Sequence, residues 1–265
     1  MPKTENASFS GFLRNTGILV FEPVLFLGAV SGKLPLLFRK RGFRKQQTLY
    51  YLDLCGAKSV PIVSLICFLM GAVLGIQAAL QMRKVGTEIF VADLVGFSVL
   101  KEFAPLMVAM ICTGRAASAF AAEIGTMKVN EEISALQTLG ISPVAYLVYP
   151  KLLAMLLALP LLTLFADAAG ILGGTAVGVA ALDIPLSAYW GRTTAVLDMI
   201  TLLLGVAKTI VFAILITLAG CFCGFRASGD AQGVGRGATS AVVLSIFLVV
   251  VADAVITLLY SFIGY

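Results

Sequence analysis

Glu102, Lys208 and Asp253 each interrupt a long hydrophobic run, where an apolar chain has least reason to carry a charge. Each charge costs about 2.5–3.5 kcal/mol at the centre of a membrane helix on insertion scales, so such residues face one another or a wet cavity. Counted inward from the ends of their runs, all three lie about 10–15 Å below the same surface at 1.5 Å per residue. Two readings follow. In one, Lys208 and Asp253 are an ion pair that holds the last two helices together. In the other, the group is a polar belt in a substrate cavity, with Lys101 and Lys208 offered to a phosphate and Glu102 and Asp253 balancing them. Asp167, midway along a further run, is a weaker candidate, since relaxing its helix near Gly170 would account for it.

A second constellation lies between Gly114 and Gly140. An apolar run passes through small residues and becomes charged and helix-compatible at Glu123, Ile124, Gly125, Thr126 and Met127, then at Glu131 and Glu132. Gly140 and Pro143 stop it, as a glycine and a following proline end a helix. A membrane span hands over to a surface helix there. Such a helix between two spans suits a transporter that takes force from a soluble partner.

Other chemistries find little footing. The chain has no histidine, which removes the usual proton shuttle and the commonest metal ligand. No Gly-x-x-x-x-Gly-Lys-Ser/Thr loop occurs; Gly205-Val-Ala-Lys208-Thr209 lacks the second glycine and falls inside a span. Gly233-Val-Gly235-Arg236-Gly237 follows no strand and reads as a cytoplasmic turn. Cys55, Cys67, Cys112, Cys221 and Cys223 sit in or beside apolar runs, and Cys221 and Cys223 point to different sides of a helix, so no metal site is expected. The net charge of +5 comes from residues flanking apolar runs, where anionic head groups rather than nucleic acid are the natural counterpart.

The elements that must position these residues are membrane helices. Charged residues make up 12% of the chain against a usual 25% or so, and the mean hydropathy is +1.01. Five stretches are long enough to span, at about 59–82, 95–121, 144–182, 198–225 and 239–263. The third is too long for one straight span and carries Pro160, Gly170, Gly173 and Gly174, which predicts a kinked or extended helix. The stretch 9–38, with Arg14, Glu22, Pro23, Lys33 and Pro35, reads as an interfacial helix; the alternative is a sixth span over 16–38. No cleavable signal peptide fits it. Lys33, Arg39, Lys40, Arg41, Arg44 and Lys45 place the N-terminus in the cytoplasm and, after five spans, the C-terminus outside. Arg115, Lys128, Lys151, Arg226 and Arg236 agree with this; Arg83, Lys84 and Arg192 do not.

Small residues recur four apart at Gly71 and Gly75, Gly174 and Gly178, Gly220 and Gly224, and Ala117 and Ala121. Such patches let helices approach closely. Packing within the chain is the default, and a homodimer seam is the alternative.

Leu100-Lys101-Glu102-Phe-Ala-Pro105, Gly114-Arg115-Ala, Ala122-Glu123-Ile-Gly125-Thr-Met127, Glu132-Ile-Ser-Ala-Leu and Leu139-Gly140-Ile-Ser-Pro143 together resemble the MlaE permease family, the membrane subunits of ABC transporters that work with MCE proteins. Lys208-Thr-Ile-Val-Phe-Ala, Gly220-Cys-Phe-Cys-Gly224 and Gly233-Val-Gly235-Arg-Gly-Ala-Thr239 extend the resemblance over nearly all of the chain after residue 50. It implies an all-α membrane protein, with an N-terminal interfacial segment over 1–50 and a five-span permease domain over 51–265. Two copies would form a phospholipid cavity, lined here by Leu74, Gln81, Met82, Val85, Lys101, Glu102, Lys208 and Asp253. The Glu123–Gly140 stretch would be the coupling helix. The implied partners are a cytoplasmic ATPase dimer that binds the ATP and magnesium, a small STAS-domain protein and an external MCE hexamer. The permease itself would not be catalytic, and it would sit in a bacterial inner membrane. A reading from another class, an ion-coupled secondary carrier using Glu102 and Asp253 as proton sites, predicts transport without an ATPase and often an internal repeat. No clear repeat relates the two halves.

Overall fold

The computed structural model describes residues 44–182 and 184–263, with Phe26, Gly28, Val30 and Gly32 upstream of them. Among the described residues every regular element is helical. That is what lipid favours, because a helix satisfies its own backbone N–H and C=O groups. α1 (Lys45–Cys55) leads through a tight turn at Ala57–Ser59 into α2 (Val60–Met82), whose Pro61 sits in the first turn, where a missing N–H costs nothing. α3 runs over Glu88–Val129, α4 over Glu132–Thr138, α5 over Pro143–Leu182, α6 over Leu186–Val196, α7 over Met199–Arg226 and α8 over Ala231–Ile263.

Five runs among these are long and apolar enough to cross a membrane: Lys45–Met82, Glu88–Val129, Pro143–Leu182, Met199–Arg226 and Ala231–Phe262. They coincide with the five expected stretches but extend beyond several of them, because polar residues that hydropathy excludes still continue the helices. The third is an unbroken 40-residue helix that contains Pro150 and Pro160. Most of the expected interfacial helix, the alternative span over 16–38 and the basic residues Lys33 and Arg39 to Arg41 lie outside the described residues.

Glycine sets the closest contacts. α2 and α5 form the most extensive helix pair. A Cβ on Gly71 would collide with the backbone of Gly170, and one on Gly173 with the carbonyl of Phe68. Gly174 and Gly178 cradle the buried Tyr189 ring of α6, while Gly220 and Gly224 of α7 lie against Ala117 and Ala121 of α3. The small-residue patches therefore serve packing within the chain, the default reading of their spacing.

α3 is not uniform. Its turns widen to π-helical geometry at Val99–Phe103 and again at Thr113–Ala117. Such wide turns are uncommon and concentrate at functional positions.

The stretch expected to be one surface helix from Glu123 to Gly140 is instead two. Residues up to Val129 belong to α3, and α4 begins only at Glu132. Asn130 is a poor helix former, and Glu131 takes the left-handed conformation with φ 58°, which breaks the helix axis. Gly140 does end the second piece as expected. At φ 71° it lets Ile141 N–H reach the Leu136 carbonyl at 2.9 Å, while its own N–H bonds Gln137 at 3.0 Å.

Asp230 opens α8 as an N-cap does. Its Oδ1 accepts from Ser228 Oγ at 3.0 Å and from Gly233 N–H at 2.8 Å, and these bonds hold its carboxyl below the usual carboxylate range. A group depressed in this way contributes stability above its unfolded value and loses it as the pH falls through the folded one. The turn is therefore firm at neutral pH.

Candidate functional site

One close backbone contact assembles the intramembrane charges. Gly205 of α7 lies against the Leu100 carbonyl at the first wide turn of α3, with no room for a Cβ between them. Lys208 then falls about one turn further along α7 and Glu102 two residues further along α3, so the two side chains must meet. Lys208 Nζ is 2.6 Å from Glu102 Oε2 and 3.1 Å from Asp253 Oδ1. It also donates to Thr257 Oγ1 at 2.8 Å, and Thr257 in turn reaches Glu102 Oε1 at 3.2 Å. Tyr260 closes the outer side by donating to the Leu204 carbonyl at 3.3 Å.

The common depth expected of Glu102, Lys208 and Asp253 is thus what the structure shows. It also decides what Lys208 can do. An ammonium has three donors, and here each has an acceptor; the side chain is fully buried. Lys208 therefore organises carboxylates and has no donor left for a phosphate, contrary to the expectation that it stands open to one. Lys101 differs. Its Nζ lies 4.9 Å over the Phe97 ring, and among the described residues no carboxylate pairs with it. The group of Glu102, Asp253 and Lys208 carries formal charges of two minus and one plus, which leaves Lys101 as the neighbouring cation.

Thr257 was not singled out in the sequence. It lies four residues after Asp253, hence on the same helix face, and that spacing was the available signal. The remaining expected pocket residues spread along the far end of α2 and beyond it. Leu74 is half-buried and lines a small apolar space with Cys67, Met70, Val99 and Phe103. Gln81 and Val85 are exposed, and Met82 is half-buried with its sulfur 3.4 Å from Thr87 Oγ1. Asp167 is buried in α5 with one carboxylate oxygen lacking a partner. All five cysteines are buried and unpaired, as their apolar settings suggested.

The other constellation divides sharply. Thr126, Glu131 and Glu132 are exposed and Met127 is partly so, whereas Ile124 and Gly125 are buried. Gly125 is pressed against Ala227 and Val234 in the link between α7 and α8. Glu123 turns inward. Its Oε1 accepts from Tyr51 OH at 2.5 Å and lies 3.2 Å from Lys151 Nζ, which is itself fully buried. Reversing the charge of Glu123 would therefore damage the interior rather than probe a surface. Sequence reading placed Lys151 only as a cation near a cytoplasmic end; a lysine at the start of a long apolar run was the signal that it needs a partner.

Two cations that ran against the expected orientation are paired: Arg192 lies 3.1 Å from Asp93, and Arg83 lies 3.6 Å from Glu88.

The family described as permease MlaE matches residues 48–259. A protein of Rickettsia bellii described as a probable ABC transporter permease is 37% identical over 205 residues, covering 77% of this chain and 79% of the relative. The Arabidopsis thaliana protein trigalactosyldiacylglycerol 1, chloroplastic, is 30% identical over 228 residues, which is 86% of this chain and 65% of the relative. The Haemophilus influenzae intermembrane phospholipid transport system permease protein MlaE is 27% identical over 246 residues, 92% of this chain and 90% of the relative. A match to the family over both the charged cluster and the segment that follows α3, on a five-span helical fold, means that this chain belongs to the MlaE permease family.

Proposed function

We propose that this chain is the permease subunit of an ABC-type transporter that moves phospholipid between the bacterial inner membrane and an external MCE ring. The observation that carries the reading is the buried cluster around Lys208, with Lys101 beside it. A charged group at that depth is held for a polar ligand or a partner, and a lipid head group is a ligand of suitable chemistry. The relative in Haemophilus, named for phospholipid transport, supports the same substrate class.

In this reading Lys101 meets the phosphate, and Glu102, Asp253 and Lys208 shape the polar end of the cavity, with Leu74, Gln81, Met82 and Val85 toward its rim. Two copies complete the cavity. α8 is the span with most to gain from a second copy, since only 11% of its apolar stretch is buried within one chain. A cytoplasmic ATPase dimer binds ATP and magnesium and docks on α4 and the exposed residues Thr126, Met127, Glu131 and Glu132. A STAS-domain protein accompanies it.

The test is to assemble the chain with its ATPase in liposomes and follow phospholipid transfer on adding ATP, with the retained lipid identified by mass spectrometry. Bound phospholipid and ATP-dependent transfer are expected, with both lowered about tenfold in Lys101→Ala, in line with the loss of one charge-assisted contact. Absence of bound phospholipid together with ATP-independent transfer would overturn the reading and favour an ion-coupled carrier.

Orientation has its own check. Thr194 and Ser228 are both exposed, and the native thiols are all buried. A cysteine at position 194 should react with an impermeant reagent added outside, and one at 228 should not, because one span separates them. The reverse pattern would invert the topology.

A further inference from the structure

A second charged cluster lies at the opposite end of α3. Lys151 of α5 is fully buried, and its Nζ donates to Tyr51 OH of α1 at 2.9 Å while pairing with Glu123 of α3 at 3.2 Å. The ammonium also lies 4.4 Å from the centre of the Tyr51 ring and 5.6 Å from that of Phe120. Three helices are tied together through one carboxylate oxygen, which receives both the tyrosine proton and the lysine charge.

Stability alone does not explain this choice of residues. A buried ion pair loses in desolvation much of what it gains in attraction, and apolar residues of the same volume would join the helices at least as well. The pair is also lopsided. The Glu123 side chain is 40% exposed and Lys151 is 0% exposed, so Glu123 can turn to water or to another cation, whereas Lys151 has nowhere to go. Such a pair has a fixed half and a movable half.

Its position decides what moves it. Only six residues beyond Glu123 the helix ends at Val129, and the chain reverses at Glu131 into the exposed α4. On the other side of the same turns Lys128 Nζ donates to the Phe225 carbonyl at 2.8 Å. The end of α3 is thus held from two sides, and any load on α4 is applied directly to it. The helix that bears Glu123 also bears Glu102, the partner of Lys208.

We propose that Tyr51, Glu123 and Lys151 are positioning residues that form a latch, through which the binding and release of the cytoplasmic ATPase at α4 are transmitted along α3 to the Lys208 cluster. The latch rests on the transport reading given above. Closed, it fixes α3 against α1 and α5; open, it frees the inner half of α3 to shift, and the two arrangements are discrete because the carboxylate either holds the ammonium or does not.

The test uses the complex of this chain with its ATPase in liposomes and reads phospholipid transferred per ATP hydrolysed. Tyr51→Phe keeps the ring and removes one proton donor; Glu123→Gln keeps the shape and removes the charge. Hydrolysis is expected to stay within about twofold of wild type in both, while transfer per ATP falls about threefold in Tyr51→Phe and about tenfold in Glu123→Gln, the larger loss following the charged bond. Glu123→Asp should recover part of the ratio. A wild-type complex that transfers lipid, with the ratio unchanged in both variants, would overturn the latch alone. So would loss of assembly in Tyr51→Phe, since the cluster would then be only a brace. A wild-type complex without ATP-driven transfer would overturn the transport reading, and the latch with it.

Discussion

Lys208→Met should cost the chain about 3–5 kcal/mol, the penalty for leaving one side of a buried ion pair unmatched. The expected effect lies at the top of that range because two carboxylates are stranded, Glu102 and Asp253, together with the Thr257 hydroxyl. Complex yield and thermal unfolding in detergent would read it. Neutralising Asp253 as well, which a simple pair would find sufficient, should rescue assembly only in part, because Glu102 remains charged. Adding Glu102→Gln to Lys208→Met and Asp253→Asn should restore assembly. Lipid transfer should stay low in that triple variant if the cluster meets the head group; full transfer would reduce the cluster to a helix clamp.

Gly71→Leu should be comparably severe for a different reason. The Cβ position of Gly71 is already occupied by the Gly170 backbone, so no rotamer relieves the clash and α2 must separate from α5. Overpacking in a tight core costs about 1–3 kcal/mol where side chains can yield, and more where backbone must move. Loss of folded yield is expected, with Gly173→Leu behaving alike against the Phe68 carbonyl. Gly114→Ala is the control. Nothing lies within 4 Å of its Cβ position, so yield should be unchanged. A tolerated Gly71→Leu would mean that the α2–α5 contact is looser than its geometry states.

Much of this architecture was legible because lipid simplifies the code. Hydropathy located the five spans, and the depth count brought Glu102, Lys208 and Asp253 together before any contact was known. What escaped was set by close contacts rather than by composition. Lys208 was expected to be open to a phosphate, because a count of depth says nothing of how many acceptors surround one ammonium; Thr257 supplies the third. Glu123 was expected on a surface, because its neighbours are charged and the chain there leaves the membrane. Only packing shows that Tyr51 and Lys151, which lie 72 residues before and 28 residues after it, turn it inward. The break at Asn130 and Glu131 depended on one backbone conformation that a helical pattern does not foretell. Helix α6 was missed because a short amphipathic segment after Pro185 carries little periodic signal; Tyr189 in the cradle of Gly174 and Gly178 is what holds it.

The wide turns at Val99–Phe103 and Thr113–Ala117 separate the length of α3 from its phase. Each takes in about one residue more than an α-helix would use over the same path, and one residue is worth about 100° of rotation but only about 1.5 Å of rise. Deleting a single residue within either turn would hardly shorten the span, yet it would swing everything beyond it by more than a quarter of a circle. In this helix, then, a one-residue insertion or deletion works as a rotation. Two relatives of equal span length can present entirely different side chains to the same neighbour, and an alignment that slips by one residue across either turn would assign the wrong carboxylate to Lys208.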